Sequence, residues 1–416
     1  MGKIFVLLLL SVASAYFTSC SSFVPIERAD WERSDSAFVN YVISEGIPYT
    51  NNNDVVILDG AHEKFDSLFN DIRNAKHHVH LEYFNFRNDS INSVLIELLA
   101  EKAAEGVEVR AMFDAFGNMS NDSPLKRRDL EEIRAKGIEI IKFDPINFPW
   151  FNHFARDHRK IVIIDGKIGY IGGINVADYY LDGIEGVGKW RDMHSRVEGE
   201  AVHELQKIFL SMWEEQGGGR IEGDAYYPVP DLAGKADVAV VDRWPCRTPK
   251  RMRRAYANAI HAAKDSIILV NPYFIPTPII RNALEKAIDD GVKVSIVISE
   301  KGDIPMVPDG VWRVGYQLMK RGAKVYMYTG GFNHSKVMCV DGKYCTIGSA
   351  NLNSRSLMYD YETNLFVIGN EDCRELYELI EDDTENSYLL TKEKYKERSC
   401  WRRFCGWLVT LVTPFM

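Results

Sequence analysis

The chain contains one stretch of eighteen residues twice. The first copy, residues 158–175, is HRKIVIIDGKIGYIGGIN, and the second, residues 334–351, is HSKVMCVDGKYCTIGSAN. Eight positions are identical, and a single offset (334 − 158 = 176) aligns them all. Unrelated segments do not share so long a fixed spacing by chance, so the chain carries an internal repeat.

Each copy predicts a β-hairpin with polar groups at both ends. A His and a Lys two residues apart on an extended chain share one face, because side chains alternate along a strand. The residues that follow, KIVII and KVMCV, are typical of a buried strand. The Asp-Gly pairs at 165–166 and 341–342 predict tight turns. Each copy therefore offers an imidazole, an ammonium group and, at its end, a carboxamide.

The order of helices and strands is repeated as well. Helices that close at Gly106 and Gly137 in the first half correspond to helices that close at Gly291 and Gly322 in the second, both pairs with an offset of 185. Helix–strand alternation indicates an α/β fold. We therefore predict two halves related by a pseudo-two-fold axis, each a β-sheet flanked by helices. Two copies of the motif that meet across this axis would place two His and two Lys around one phosphate, with the active site at the interface between the halves.

At this point the sequence resembles the phospholipase D superfamily, whose paired H-x-K-x4-D motifs it matches residue by residue. The segments NPYFIP at 271–276 and RDHRK at 156–160 resemble the bacterial cardiolipin synthase branch in particular. The resemblance implies a phosphatidyltransferase whose catalytic residues are His158, Lys160, Asp165, His334, Lys336 and Asp341. Strand parity separates Asp165 and Asp341 from their histidines, which favours turn or cross-half contacts for these two carboxylates.

The residues that follow each motif add binding and orienting groups. We expect Asn175, Ser349 and Asn351 to bind the phosphate oxygens. The segment NLNSRSLMYDYE at 351–362 resembles the family's N-L-D-x-R-S-x-x-x-N-x-E, whose Glu pairs with the histidine, so Glu362 is expected to orient His334. Asp192 is then expected to orient His158.

The N-terminus has the layout of an export signal. Lys3 is followed by an apolar run and then by small residues, and FTSC at 17–20 resembles a bacterial lipobox with Cys20 as the lipidated residue. A cleaved signal without lipid and a retained anchor are the alternatives. We expect an exported lipoprotein, anchored in the membrane of the bacterial cell envelope and facing the periplasm.

The predicted organisation has five parts. They are a signal (1–22), a first phospholipase D-like half (23–220), a linker (221–236), a second half (237–390) and a basic, aromatic tail (391–416). Cations, Trp and aliphatic residues alternate in the tail, which favours a helix in a membrane interface over a tail packed on the body. Nine additional residues before His158 centre on an aromatic segment at 147–154.

Charge and composition narrow the function. The net charge of −9 argues against nucleic-acid binding, and no spacing of Cys, His or carboxylates suggests a metal or another cofactor. We expect phospholipid substrates (phosphatidylglycerol, and as a further option phosphatidylethanolamine) at a membrane surface, with cardiolipin as the product. The alternatives are a hydrolase of phospholipids or other phosphodiesters, and a non-catalytic envelope scaffold.

Overall fold

The computed structural model describes residues 36–120, 122–143, 155–230 and 234–411. The predicted signal with Cys20, the aromatic segment at 147–154 and the last five residues lie outside the described part of the chain. The boundaries of the five predicted parts stay predictions.

Seventeen strands are described, and fifteen of them form one mixed sheet. They are β1 (Tyr49–Leu58), β2 (His78–Tyr83), β3 (Glu108–Asp114), β4 (Glu139–Phe143), β5 (Lys160–Ile164), β6 (Ile168–Gly172), β7 (Trp190–Arg191), β8 (His194–Gly199), β9 (Ala236–Arg243), β10 (Ser266–Val270), β11 (Lys293–Ser299), β12 (Lys324–Tyr328), β13 (Phe332–Asn333), β14 (Val337–Val340), β15 (Tyr344–Gly348), β16 (Glu362–Ile368) and β17 (Ser387–Leu389). The large sheet runs β4-β3-β2-β5-β6-β8-β1-β9-β16-β15-β14-β10-β11-β12-β17, while β7 and β13 pair separately.

The strand order displays the repeat. Reading outward from the antiparallel pair of β1 and β9, each strand of the first half has its counterpart at the same position in the second. The pseudo-two-fold axis therefore passes between β1 and β9. The predicted fold class is confirmed, with one difference: the two halves share a continuous sheet instead of each having its own. An edge strand of each half is covered by the other, which removes two exposed edges.

Helices cover both faces of the sheet. They are α1 (Ala37–Ser44), α2 (Ala61–Asn74), α3 (Ser90–Ala104), α4 (Ala115–Met119), α5 (Arg127–Ala135), α6 (Tyr179–Asp182), α7 (Ala201–Glu215), α8 (Arg251–Ala262), α9 (Pro278–Asp289), α10 (Val307–Arg321), α11 (Ser354–Met358), α12 (Asn370–Glu385), α13 (Lys392–Glu397) and α14 (Cys400–Leu411). Alternate residues of one strand serve different cores, as the two-residue period requires. Ile267 and Leu269 pack with α8 to α10, whereas Ile268 and Val270 join the core that α7 and α12 form across both halves.

The two motif hairpins form as predicted, but their aspartates have structural positions. Asp165 and Asp341 begin the turns with a positive φ of 54°. The Asp165 carboxylate accepts backbone N–H groups of Lys76, His77 and His78 at 2.7–3.0 Å. Asp341 accepts those of residues 264–266 at 2.7–2.8 Å. The placement of both residues in the catalytic set was therefore wrong. Each carboxylate ties its hairpin to the start of a neighbouring strand in its own half instead of to the other half.

The C-terminal helix α14 packs on the body of the protein, which was one of the two alternatives, and also has an exposed apolar face. One face of α14 packs on α10, since Cys405 and Val409 are buried and Arg402 pairs with Asp309 at 3.5 Å. The opposite face leaves large apolar side chains exposed, namely Trp401, Phe404, Trp407 and Leu411. In the described part of the chain, no helix has the length and apolar content needed to cross a bilayer.

Removing one of the turn carboxylates should lower stability and leave the chemistry in place. Asp165→Ala deprives three backbone N–H groups of a charged acceptor, so we expect the free energy of unfolding to fall by roughly 2 kcal/mol. Chemical denaturation measures this loss, and Asp66→Ala, an exposed aspartate on α2, is the control. A folded Asp165→Ala enzyme without activity would contradict the structural assignment.

Candidate active site

Each motif histidine stands just before a strand and is fixed by the other half. His158 lies two residues before β5, and its backbone N–H donates to the carbonyl of Tyr361 at 3.0 Å. His334 donates in the same way to the carbonyl of Arg191 at 2.6 Å. These contacts bring the two imidazoles to one pocket at the interface between the halves, where both line the wall.

The orienting carboxylates cross between the halves. Glu362 lies 3.0 Å from Nδ1 of His158, and Asp192 lies 2.7 Å from Nδ1 of His334. Both predicted carboxylates are therefore in the site, but the predicted pairing was wrong because the partners are exchanged. The sequence comparison assumed that a carboxylate downstream in one half serves the histidine of that half. In the fold, Glu362 and Asp192 each come directly after the residue whose carbonyl accepts the backbone N–H of the other half's histidine.

Burial decides the charge state of these pairs. Burial raises the pKa of Glu362 and of Asp192 to about 7 in each case. Burial, followed by the positive charge of the neighbouring lysine, lowers the pKa of both imidazoles well below its ordinary value. A carboxylate on Nδ1 fixes the ring so that Nε2 is the atom available for chemistry. A neutral ring with a free Nε2 is suited to attack phosphorus.

The two lysines lie beside the histidines. The Nζ of Lys160 donates to the carbonyl of His158, and that of Lys336 donates to the carbonyl of His334. Burial lowers the pKa of Lys160 to about 7 and that of Lys336 to about 8. A bound anion would reverse much of this shift, because a nearby negative charge stabilises the ammonium form.

The predicted oxygen-binding residues divide into two groups. Asn175 and Asn351 line the pocket, and Asn175 is held by the hydroxyl of Tyr180 at 2.9 Å. The Oδ1 of Asn351 is buried without a hydrogen-bond partner among the described residues. Ser349 is fully buried and donates to Glu362 instead, so its assignment to substrate binding was wrong. At the equivalent position, a Cβ on Gly173 would lie 2.2 Å from Asp192, so this half has no space for a serine.

A buried arginine under the site escaped the sequence reasoning. Arg159, between the motif His and Lys, points to the opposite face and pairs with Asp242 at 2.6 Å and with Glu82 at 3.3 Å. Its guanidinium lies 5.2 Å from the rings of Trp244 and Tyr361. The alternation H-R-K is the signal that could have found it, because a charged residue on the inner face of a buried strand needs partners.

The pocket has a volume of about 1100 Å³ and two different ends. The end beside His334 is aromatic, with the rings of Trp190, Tyr180 and Tyr273 centred 5.3–6.1 Å from the imidazole. The end beside His158 carries Arg156 and Arg355, which the sequence reasoning did not assign. In the described part of the chain, no cluster of His, Cys, Asp and Glu is arranged to hold a metal ion.

Two histidines, each with a buried carboxylate on Nδ1 and a lysine on its carbonyl, are the arrangement expected from the resemblance to the phospholipase D superfamily. The sequence profile described as "Cardiolipin synthase, PLD-like domain" matches residues 68–213 and 256–384. A cardiolipin synthase of Listeria monocytogenes serotype 4a (strain HCC23) is 35% identical over 379 residues, covering 90% of this chain and 78% of the relative. One of Staphylococcus aureus (strain Mu50) is 35% identical over 371 residues, covering 88% and 74%.

The solved structures agree with this fold. The phosphatidylserine synthase of Haemophilus influenzae Rd KW20 superposes with a TM-score of 0.66 at 13% identity, covering 91% of this chain and 99% of that one. The protein is therefore a phosphatidyltransferase of the phospholipase D superfamily. Within it, the chain belongs to the cardiolipin synthase family.

The site should bind anions more weakly as the pH rises. Sulfate keeps its charge between about pH 6 and about pH 9, whereas Lys160 and Lys336 lose their protons with pKa values of about 7 and about 8. Glu362 and Asp192 ionise in the same interval, which acts in the same direction. We expect the affinity for sulfate, measured by calorimetry, to fall at least tenfold across this range.

Lys336→Met provides the control for that titration. It should bind sulfate weakly at low pH and show a shallower pH dependence, because one titrating cation is gone. An affinity that is the same at both ends of the range would mean that the lysines do not hold the anion.

Proposed function

We propose that the enzyme transfers the phosphatidyl group of one phospholipid to phosphatidylglycerol, which yields cardiolipin. With phosphatidylglycerol as the donor, the second product is glycerol. The observation that carries the proposal is the crossed arrangement of two histidines, each with a carboxylate of the other half on Nδ1, around one pocket. The curated relatives are named cardiolipin synthases, which supports this substrate class.

The first half-reaction forms a phosphatidyl-histidine. Nε2 of one histidine attacks the phosphorus of the donor, and the bond from phosphorus to the headgroup oxygen breaks. The second histidine, protonated on Nε2 once the anionic donor is bound, gives that proton to the leaving alkoxide, so that the headgroup departs as an alcohol. Lys160, Lys336 and the two asparagines stabilise the negative charge on the remaining phosphate oxygens.

The second half-reaction reverses these roles. A hydroxyl of the acceptor loses its proton to the second histidine and attacks phosphorus, and the bond from phosphorus to the first histidine breaks. The carboxylate on each ring compensates the positive charge that the imidazole gains. Water in place of the lipid hydroxyl would give phosphatidic acid, so transfer requires that the site exclude water at a lipid surface.

The exposed face of α14 supports an interfacial position. Trp401, Phe404 and Trp407 combine apolar area with indole groups that suit the headgroup layer. Ile304, exposed at the pocket wall, lies five residues before Asp309, against whose backbone Gly406 of α14 packs. We propose that this side of the protein rests on the bilayer. A periplasmic location and lipidation of Cys20 remain proposals from the sequence, and we add the proposal that the aromatic segment at 147–154 contributes to membrane contact.

The products on lipid vesicles test the proposed reaction. Vesicles of phosphatidylglycerol should give mainly cardiolipin and glycerol, with phosphatidic acid as a minor product, as measured by mass spectrometry of the lipids. His158→Ala and His334→Ala should each lower the formation of cardiolipin and glycerol by roughly a thousandfold. The reason is that one ring is the nucleophile and the other is the general acid and base. Vesicles that yield mostly phosphatidic acid would identify a phospholipase D instead.

Fluorescence quenching tests the position of α14. With brominated acyl chains in the vesicles, the tryptophans that enter the bilayer lose fluorescence. Replacing Trp401 and Trp407 together by Phe should remove a large share of this quenching. Trp213→Phe, a buried tryptophan of α7, is the matched control and should leave the quenching as it was. Equal quenching in the wild type and the double variant would place α14 away from the lipid.

A further inference from the structure

The repeat relates each residue at one end of the pocket to a counterpart at the other end. At two positions the counterparts differ in chemical type. Arg156 precedes His158 by two residues, and its counterpart is Phe332 (332 − 156 = 176). Arg355 follows Asn351 by four residues, and its counterpart is Tyr179 (355 − 179 = 176). The bridge between Asp157 and Tyr361 likewise corresponds to the pairing of β13 with β7. At these two positions the pocket is basic near His158 and aromatic near His334.

The two arginines are built into the site and joined by one carboxylate. Asp360 accepts the backbone N–H of Arg156 at 2.9 Å and lies 3.2 Å from Nε of Arg355. The Arg156 side chain is almost fully buried, 3.6 Å from Asp114 and above the ring of Phe116. Arg243, also buried, donates to the backbone carbonyl of Asp360. Arg156, Arg243 and Arg355 thus lie around Asp114 and Asp360 at this end of the pocket.

These residues are close enough to the reacting histidine to matter for a substrate. The backbone of Tyr361, next to Asp360, exchanges hydrogen bonds with Arg156 and His158. A guanidinium carries five N–H donors in a planar fork, which suits it to bind a carboxylate and a phosphate at the same time. Guanidinium groups recognise phosphates more specifically than ammonium groups do.

We propose that Arg156 and Arg355 form a second phosphate subsite, which holds the phosphate of the acceptor phospholipid while Lys160 and Lys336 hold that of the donor. The inference rests on the proposed function. In phosphatidylglycerol, the attacking hydroxyl and the phosphate belong to one glycerol headgroup, so the second phosphate must lie within one headgroup of the first. Without a cation there, the two anions would repel each other in a poorly solvated pocket. The subsite therefore favours a lipid acceptor that carries a phosphate over water or a simple alcohol.

Competition between acceptors tests the subsite. Phosphatidylglycerol vesicles with added ethanol allow two transfers from the same intermediate, to lipid and to ethanol. Arg355→Gln should lower the ratio of cardiolipin to phosphatidylethanol roughly tenfold, the loss expected for one charge-assisted hydrogen bond. Arg355→Lys should restore part of the ratio because it keeps the charge. The ratio is insensitive to misfolding, since an inactive fraction lowers both products together.

The control is Arg374→Gln, an exposed arginine of α12 that pairs with Glu378, and it should keep the wild-type ratio. An unchanged ratio in Arg355→Gln would overturn the subsite. A wild type that makes phosphatidylethanol but no cardiolipin would overturn the proposed function instead. The subsite is then tested with glycerol phosphate against ethanol: a lower preference for glycerol phosphate in Arg355→Gln supports it, and an equal preference overturns it.

Discussion

The exchange of carboxylates between the halves is the interaction on which the site depends. Neither half contains both a motif histidine and the carboxylate that orients it, because Glu362 contacts His158 and Asp192 contacts His334. The backbone bonds from each histidine to the opposite half fix the same geometry a second time. An error in the docking of the halves would therefore misplace both rings at once. The continuous sheet through β1 and β9 supplies the rigid connection that prevents such an error.

Burial makes the same site reactive. Two lysines, two histidines and two carboxylates are buried together, and burial shifts the pKa of each group in the direction that favours its neutral form. At neutral pH these six groups therefore carry fewer charges than the same side chains would in water. A phosphodiester restores the ammonium form of the lysines when it binds, so part of the binding energy appears as stabilised charge around the reacting phosphorus.

The two halves have the same backbone arrangement but differ in the side chains that surround the site. Gly173 corresponds to Ser349 of the second half. Arg156 and Arg355, which lie near His158, correspond to the aromatic residues Phe332 and Tyr179. A symmetric pocket would treat the two sides of a phosphodiester alike. The two sides of a transfer reaction differ, since one carries a departing headgroup and the other an acceptor with its own charge, and the asymmetric lining matches that difference.

The sequence by itself determined the repeat, the fold class and the identity of the His, Lys and Asn residues, because fixed spacing and strand periodicity are local properties. It also identified Asp192 and Glu362 as the orienting carboxylates. Only the tertiary structure decided which histidine each one serves, since that depends on the docking of two halves far apart in sequence. For the same reason Ser349 turned out to support Glu362, and Asp165 and Asp341 to bind backbone amides. The basic end of the pocket likewise exists only in three dimensions, because Arg156 and Arg355 come from different halves and meet at Asp360.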